Sequence, residues 1–297
     1  MKKNLFADLM LILVTMIWGS TFIIVKDAVS VIPAPSFLMF RFSVASLTFI
    51  LFFGRTILRA DKNTIYLAFI VSIFTFFGYI LQTAGLQYTT ASKSGFITGF
   101  NVVLTPVLEA IFMKSKPKPM SLLGIIPAMA GLFLLTTGIT LSFNFGDFLT
   151  LLCAICMAAQ VVSISKYGQM VEPLPFAIFQ VFFVTLFSAV TAFIMDKPTI
   201  PTSPRIIAEL VVTGIVATAF TFVLQNKYQL MTSPTHAAVI YIGEPAFSAF
   251  YAWLFLDEQI GPRGIAGGIL IIIGMLVSEI ASFKQIKESE SLESPEE

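Results

Sequence analysis

The sequence predicts an all-α integral membrane protein: ten transmembrane helices arranged as two inverted five-helix repeats. Three observations carry this. Of 297 residues, 57% are apolar and only 12% charged, about half the charged share of a soluble domain. The apolar residues fall in blocks long enough to cross about 30 Å of hydrocarbon at about 1.5 Å per residue. Finally, the chain recurs on itself at an offset of 143 residues.

The blocks predict helices near 6–25, 36–53, 65–87, 94–113, 121–138, 147–165, 174–195, 206–226, 237–256 and 264–283. Prolines 33 and 35, 117 and 119, 173 and 175, 198, 201, 204 and 262 fall between them, where they end helices at no cost to a ladder. The first block follows Lys2 and Lys3 and lacks a small-x-small cleavage pattern, so it is expected to be a retained span rather than a signal peptide. With both termini inside, twelve Lys and Arg fall in inner segments and four in outer ones, as the positive-inside rule requires. The stretch 284–297 is short and acidic, and is expected to be a disordered cytoplasmic tail.

The repeat divides the chain into residues 1–139 and 140–283. Leu81-Gln82 recurs as Leu224-Gln225, and Gly124, Gly131 and Gly138 recur as Gly267, Gly274 and Ala281. Near the start of each half the offset is closer to 139, pairing Ala7-Asp8 with Gly146-Asp147. Five spans per half is an odd number, so the second half enters the membrane in the opposite sense, as in secondary transporters, with substrate expected near the midplane. The glycines at seven-residue spacing, Gly124, Gly131, Gly267 and Gly274, form small-residue stripes suited to close helix packing.

Polar residues inside spans mark the candidate site. Ser94, Thr98, Asn101, Thr105 and Glu109 share one face of span four, and Tyr241, Glu244 and Ser248 share the matching face of span nine. Asn101 and Glu244 are repeat equivalents. Trp18, Tyr79, Gln82 and Gln160 extend the lining, with Thr75, Thr218, Gln225 and Asn226 beside them. A carboxylate at the bilayer centre costs roughly 2.5–3.5 kcal/mol, so Glu244 needs a partner, a proton or a ligand. It either receives a substrate amine or coupling proton, or ties span nine to Asn101 or Gln82. Pro245 removes the donor for the Tyr241 carbonyl, and Pro106 does so for Val102.

Arg41 either attracts a substrate carboxylate or, the simpler expectation, snorkels to the headgroups. Lys93 and His236, 143 apart, are expected at opposite mouths as gate residues or interfacial side chains. Glu109 is expected in a surface ion pair with Lys114. One histidine excludes a histidine metal cluster, and no HExxH, GxSxG, GxGxxG or Walker-type loop occurs. Cys153 and Cys156 have CxxC spacing but sit in an apolar span, an unfavourable place for a thiolate. No catalytic residue, metal or cofactor is expected. A net charge of +1 argues against nucleic-acid binding.

Trp18-Gly19, Arg41 after a Pro-rich loop, small-residue packing in spans five and ten, and the segments LQYTTASKSGFITGFNVVLTPVLEAIFM and YQLMTSPTHAAVIYIGEPAFSAFYAWLFLDE together resemble the EamA-type branch of the drug/metabolite transporter superfamily over about 280 residues. The resemblance implies a ten-helix inverted-repeat carrier in a bacterial-type plasma membrane. It would export amino acids or related amphipathic metabolites by alternating access, with a cavity lined by spans one, three, four, six, eight and nine. Efflux of organic cations is the alternative substrate class. A membrane-embedded lipid-modifying enzyme lacks the His, Asp or Glu cluster it would need, and a passive channel would show no counterflow. The expected partners are a small-molecule substrate and the lipid bilayer; a monomer suffices, and a homodimer stays open.

Overall fold

A computed structural model of the chain describes residues 2–89, 91–114, 119–135, 144–195, 197–198, 200–256, 261–274 and 276–277. The expected acidic tail, Gly138 and Ala281 lie outside the described residues. Every described element is helical. Prolines and short polar caps set most of the starting points, because the first N–H groups of a helix have no partner within it.

Helix α1 (Lys2–Ala28) is followed by α2 (Ala34–Arg59), which starts behind Pro33 with Pro35 in its first turn. Asp61 caps α3 (Lys62–Gly85) by accepting the Thr64 N–H at 3.2 Å. Span four is two helices, α4 (Ala91–Gly99) and α5 (Asn101–Met113), joined at Phe100, and α6 (Pro119–Leu135) completes the first half. A reciprocal box opens α7 (Phe145–Tyr167): the Asp147 N–H donates to Asn144 at 3.0 Å, and the Asn144 N–H donates to Asp147 at 2.8 Å. Next come α8 (Pro173–Met195) and α9 (Pro204–Gly214), both starting on proline. Residues 215–220 form a π turn leading into α10 (Thr221–Tyr228). Span nine, like span four, is split: α11 (Pro234–Tyr241) and α12 (Gly243–Leu256) meet at Ile242. The last described helix, α13, runs Pro262–Gly274.

Six helical stretches are long and apolar enough to cross a membrane, and three more described apolar helices are shorter. With α11 and α12 as span nine, helix stands at each of the ten predicted places, and spans four, eight and nine are interrupted. The interruptions at Phe100 and Ile242 stand within one residue of equivalent places in the two halves. Pro245 falls in the first turn of α12, where its missing N–H is tolerated.

The two halves pack as a pseudo-two-fold requires. Where α1 lies on α12, its image α7 lies on α5; α3 lies on α7, and α10 lies on α1; α3 lies on α8, and α9 lies on α2. Helices that meet their own images pair reciprocally. A Cβ on Gly131 would stand 2.5 Å from the Gly267 carbonyl, and one on Gly274 would stand 2.7 Å from the Gly124 carbonyl. Gly267 and Gly274 are the repeat images of Gly124 and Gly131, so this crossing has the self-complementary pattern of a two-fold contact. Between α2 and α8, whose starts lie 139 residues apart, the Thr185 hydroxyl stands 2.8 Å from that of Ser46, its own repeat image. Lipid tails are as apolar as leucine, so such crossings are held by close van der Waals contact rather than by escape from water.

Candidate functional site

Helices α1, α2, α3, α4, α5, α7, α10, α11 and α12 converge on one cavity. Nine side chains singled out in the sequence line it: Trp18, Tyr79, Gln82, Thr98, Asn101, Gln160, Gln225, Tyr241 and Glu244. Arg41 lines it as well. Its wall is completed by Thr21, Phe22, Val25, Thr83, Leu86, Met157 and Val161.

The π turn explains how Arg41 comes to be there. Widening the helix by one residue lets Thr218 Oγ1 donate five residues back, to the Thr213 carbonyl at 2.8 Å. The Ala217 carbonyl becomes a shared acceptor, taking Arg41 Nη2 at 3.2 Å, Trp18 Nε1 at 3.2 Å and the Thr221 hydroxyl at 2.9 Å. Arg41 Nε donates to Thr218 Oγ1 at 2.8 Å, and the guanidinium stands 5.1 Å from the centre of the Tyr79 ring. Gly214 lets α2 approach, since a Cβ there would be 2.8 Å from the Arg41 carbonyl. Arg41 is 3% exposed. The snorkelling expectation is therefore corrected: position within span two measured depth, and the carbonyl and hydroxyl offered by the π turn set direction.

Most other polar groups of the wall are already engaged. Gln82 Nε2 donates to Thr98 Oγ1 at 3.2 Å, and Gln160 and Gln225 bond amide to amide at 3.3 Å. Behind them Gln229 accepts from the Tyr241 hydroxyl at 3.1 Å and donates to the Val161 carbonyl at 2.7 Å. The Trp18 and Tyr241 rings lie 5.6 Å apart. Two groups remain open. Among the described residues nothing hydrogen-bonds the Glu244 carboxylate, and Asn101 Oδ1 is buried without a partner. Glu244 is thus not tied to Gln82 or Asn101, and its charge faces the same cavity as that of Arg41. Gly19 fixes this corner: a Cβ on it would fall 2.7 Å from the Glu244 carbonyl, so a side chain there would push α1 off α12.

Several sequence expectations move. Ser94 is buried against Thr150, with the two hydroxyls 3.5 Å apart, and Ser248 sits beside Gly19; neither lines the cavity. His236 is not at an open mouth. It is 1% exposed, with Nε2 3.3 Å from Asp8 Oδ1 near the start of α1. The Lys93 side chain lies outside the described residues. Glu109 leaves the surface as well, accepting the Thr235 hydroxyl at 2.6 Å in a buried setting. At the other end of α1, Lys26 Nζ donates to the carbonyls of Leu86 and Thr89, and the Thr89 hydroxyl donates to Asp147 at 2.7 Å. Asp8 and Asp147, repeat images, thus hold opposite ends of the molecule. Cys153 is buried and Cys156 half-buried. Of the residues that line the cavity without having been marked, the apolar ones carry no sequence signal, because lipid-facing and cavity-facing hydrophobes look alike in a span.

The EamA-like transporter family model matches twice, over residues 5–137 and 144–279. The chain belongs to the EamA-like transporter family. An uncharacterized transporter of Archaeoglobus fulgidus is 35% identical over 276 residues, covering 93% of this chain and 86% of the relative. The uncharacterized transporter YoaV of Bacillus subtilis is 24% identical over 278 residues, covering 90% and 94%. A crystal structure with 15% sequence identity superposes with a TM-score of 0.76 over 97% of this chain and 99% of the other, which shows a shared fold. As a member of this family, the protein is a multi-pass membrane transporter of the drug/metabolite superfamily.

Proposed function

We propose that this EamA-like protein is a secondary active or facilitative exporter of small amphipathic metabolites, foremost amino acids and related compounds, working by alternating access around the central cavity. One observation carries the reading: Arg41 and Glu244, the only charged side chains among the described residues lining the cavity, face a common space whose remaining wall is largely aromatic and aliphatic. An α-amino acid matches that wall group for group. Its carboxylate suits Arg41, its ammonium suits Glu244, and an apolar side chain suits Phe22, Leu86 and Met157. A zwitterion also leaves the cavity neutral, whereas an organic cation would add an unbalanced charge in a medium of low dielectric. The lysine and arginine distribution supports cytoplasmic termini in a plasma membrane of bacterial type, which makes export the outward movement from the side of Asp8.

Thermal stabilisation of the purified protein in detergent, followed by counterflow of labelled ligand in proteoliposomes, tests this. At about 100 times its dissociation constant a ligand adds roughly 2.7 kcal/mol, so amino acids should raise the unfolding temperature and organic cations should not. Glu244→Gln should weaken that shift or change its pH dependence. Stabilisation by cations alone would replace the zwitterion reading with cation efflux, and uptake without counterflow would make the protein a channel.

A further inference from the structure

The unfilled hydrogen bonds of the cavity define its ligand more narrowly than its charges do. Trp18, Gln82, Gln160, Gln225 and Tyr241 have protein partners. Arg41 has committed Nε and one N–H of Nη2. What the wall leaves over is acceptor capacity on Glu244, Asn101 and the carbonyl end of Gln82, of which Glu244 and Asn101 are repeat equivalents, and donor capacity on the rest of the guanidinium. Asn101 is 8% exposed and its Oδ1 has no partner, a state that costs about 1–3 kcal/mol for a buried polar atom. These two residues are repeat images, and each stands where its span restarts: Asn101 is the first residue of α5, and Glu244 the second of α12. The pseudo-two-fold therefore brings two oxygen acceptors, one charged and one neutral, to the same cavity from opposite halves.

Resting on the zwitterion reading above, we infer that Asn101 and Glu244 together recognise an ammonium group by its N–H bonds, so that the carrier discriminates amines that keep two or more N–H bonds from the dimethylated and trimethylated ones. A lone carboxylate would not do this, since it attracts a quaternary ammonium through charge alone. Two acceptors from different helices need a ligand with at least two N–H bonds to satisfy both. A ligand without them leaves both acceptors desolvated and unpaired, and sites built around hydrogen bonds reject such analogues strongly.

The test uses the full chain in detergent with L-leucine and L-phenylalanine, together with the N-methyl, N,N-dimethyl and N,N,N-trimethyl derivative of each, with affinities read from thermal-shift titrations. Expected is a loss of roughly tenfold per N–H removed beyond the first, ending with the trimethyl compounds at least ~100-fold weaker than the parents. Asn101→Leu should weaken the parents about tenfold, leave the trimethyl compounds unchanged, and so shrink the ratio between them. Asn101→Asp, which keeps an acceptor, should preserve the ratio. Equal binding of parent and trimethyl compounds to the wild type overturns the inference and leaves the zwitterion reading standing. Methyl discrimination that is undiminished in Asn101→Leu also overturns it, because bulk and not hydrogen bonding would then be the cause. Failure of both parent amino acids to bind, with cations binding instead, overturns the zwitterion reading and the inference with it. If Asn101→Leu does not fold, the wild-type methyl series together with Asn101→Asp decides.

Discussion

Spans three and eight are repeat images and carry a threonine at the same place, yet they are wound differently. In α3 the Thr75 hydroxyl donates four residues back to Val71 at 2.9 Å, the usual α-helical reach; in span eight Thr218 donates five back to Thr213 at 2.8 Å. The neighbours explain the contrast. Opposite span eight stands Arg41, whose Nε and Nη2 are taken up by Thr218 and Ala217. The repeat image of Arg41, at the 139-residue offset of α2 and α8, is Gln180, an uncharged amide whose Nε2 donates to Asn226 at 2.7 Å, so nothing in the other half calls for an opened turn beside Thr75. The fold is thus symmetric where helices cross and asymmetric where chemistry is needed. Asn101 against Glu244 and Gln180 against Arg41 are departures of the same kind. The pseudo-two-fold supplies a frame that brings equivalent positions to one cavity, and the differences between halves give that cavity its charges.

The symmetric part of this contrast is most readily broken at the α6–α13 crossing. Gly131→Leu or Gly274→Leu would drive a side chain into backbone already within 2.5–2.7 Å of the new Cβ. Overpacking typically costs 1–3 kcal/mol, and here no side chain can rotate away, so about 3 kcal/mol or more is expected. The outcome should be loss of monodisperse protein in size-exclusion chromatography. A well-folded variant with altered substrate preference would remove the crossing from the frame and place it in the site.

The asymmetric part is broken at Arg41. Arg41→Met should leave folding largely intact while removing the group assigned to a substrate carboxylate and leaving Glu244 without its opposite charge. Losing a charge-assisted contact of this kind costs about 2–3 kcal/mol, or roughly a hundredfold in affinity. The loss should fall on ligands bearing a carboxylate. Equal weakening of an amine that lacks a carboxylate would show that Arg41 shapes the wall and does not read the ligand.

The frame was largely legible in the sequence because hydrophobic blocks, prolines and a recurring glycine stripe are one-dimensional signals of spans, ends and crossings. The polar face shared by Thr98 and Asn101 was legible for the same reason: it rests on helical spacing. Directions were not. Arg41 and His236 have depths that the sequence reveals, but each turns toward a partner on a distant segment, Ala217 and Thr218 in one case and Asp8 in the other. The π turn itself has no local signature, since Ile215–Phe220 contains residues that an α-helix accepts readily. Nearness to Lys114 in the chain points Glu109 to a surface ion pair, while its bond is to Thr235, in the other half. Ser94 shares the spacing of the polar face but lies against α7, because a helical face is wider than the cavity it borders.

A smaller effect sharpens the comparison between Thr75 and Thr218. Thr218→Val removes both the acceptor for Arg41 Nε and the five-back bond, so about 1–2 kcal/mol of stability should go, along with part of the carboxylate affinity. Thr75→Val removes only a bond to its own helix and should cost less than half as much, with no effect on binding. Paired thermal unfolding and ligand titrations of the two variants check this. Equal losses would mean that the π turn persists for reasons of its own packing, independent of Arg41.

The smallest expected effect lies outside the membrane, at the capped ends of the same two spans. Asp61 caps α3 through the Thr64 N–H and hydroxyl, whereas Ser203, at the start of α9, makes no capping bond with its side chain. The Thr64 hydroxyl, the foremost donor to Asp61, holds its carboxyl below the ordinary aspartate value. A folded-state value below the unfolded one means that the carboxylate stabilises the fold at neutral pH, and that this contribution is lost as pH falls through the folded value. Asp61→Ala should therefore lower the unfolding temperature by ~1–2 °C at pH 7 and by less near pH 3, while Ser203→Ala should change little at either. A Ser203 effect as large as that of Asp61 would mean that the two starts are equivalent in solution, and would confine the asymmetry between spans three and eight to the π turn and the arginine it holds.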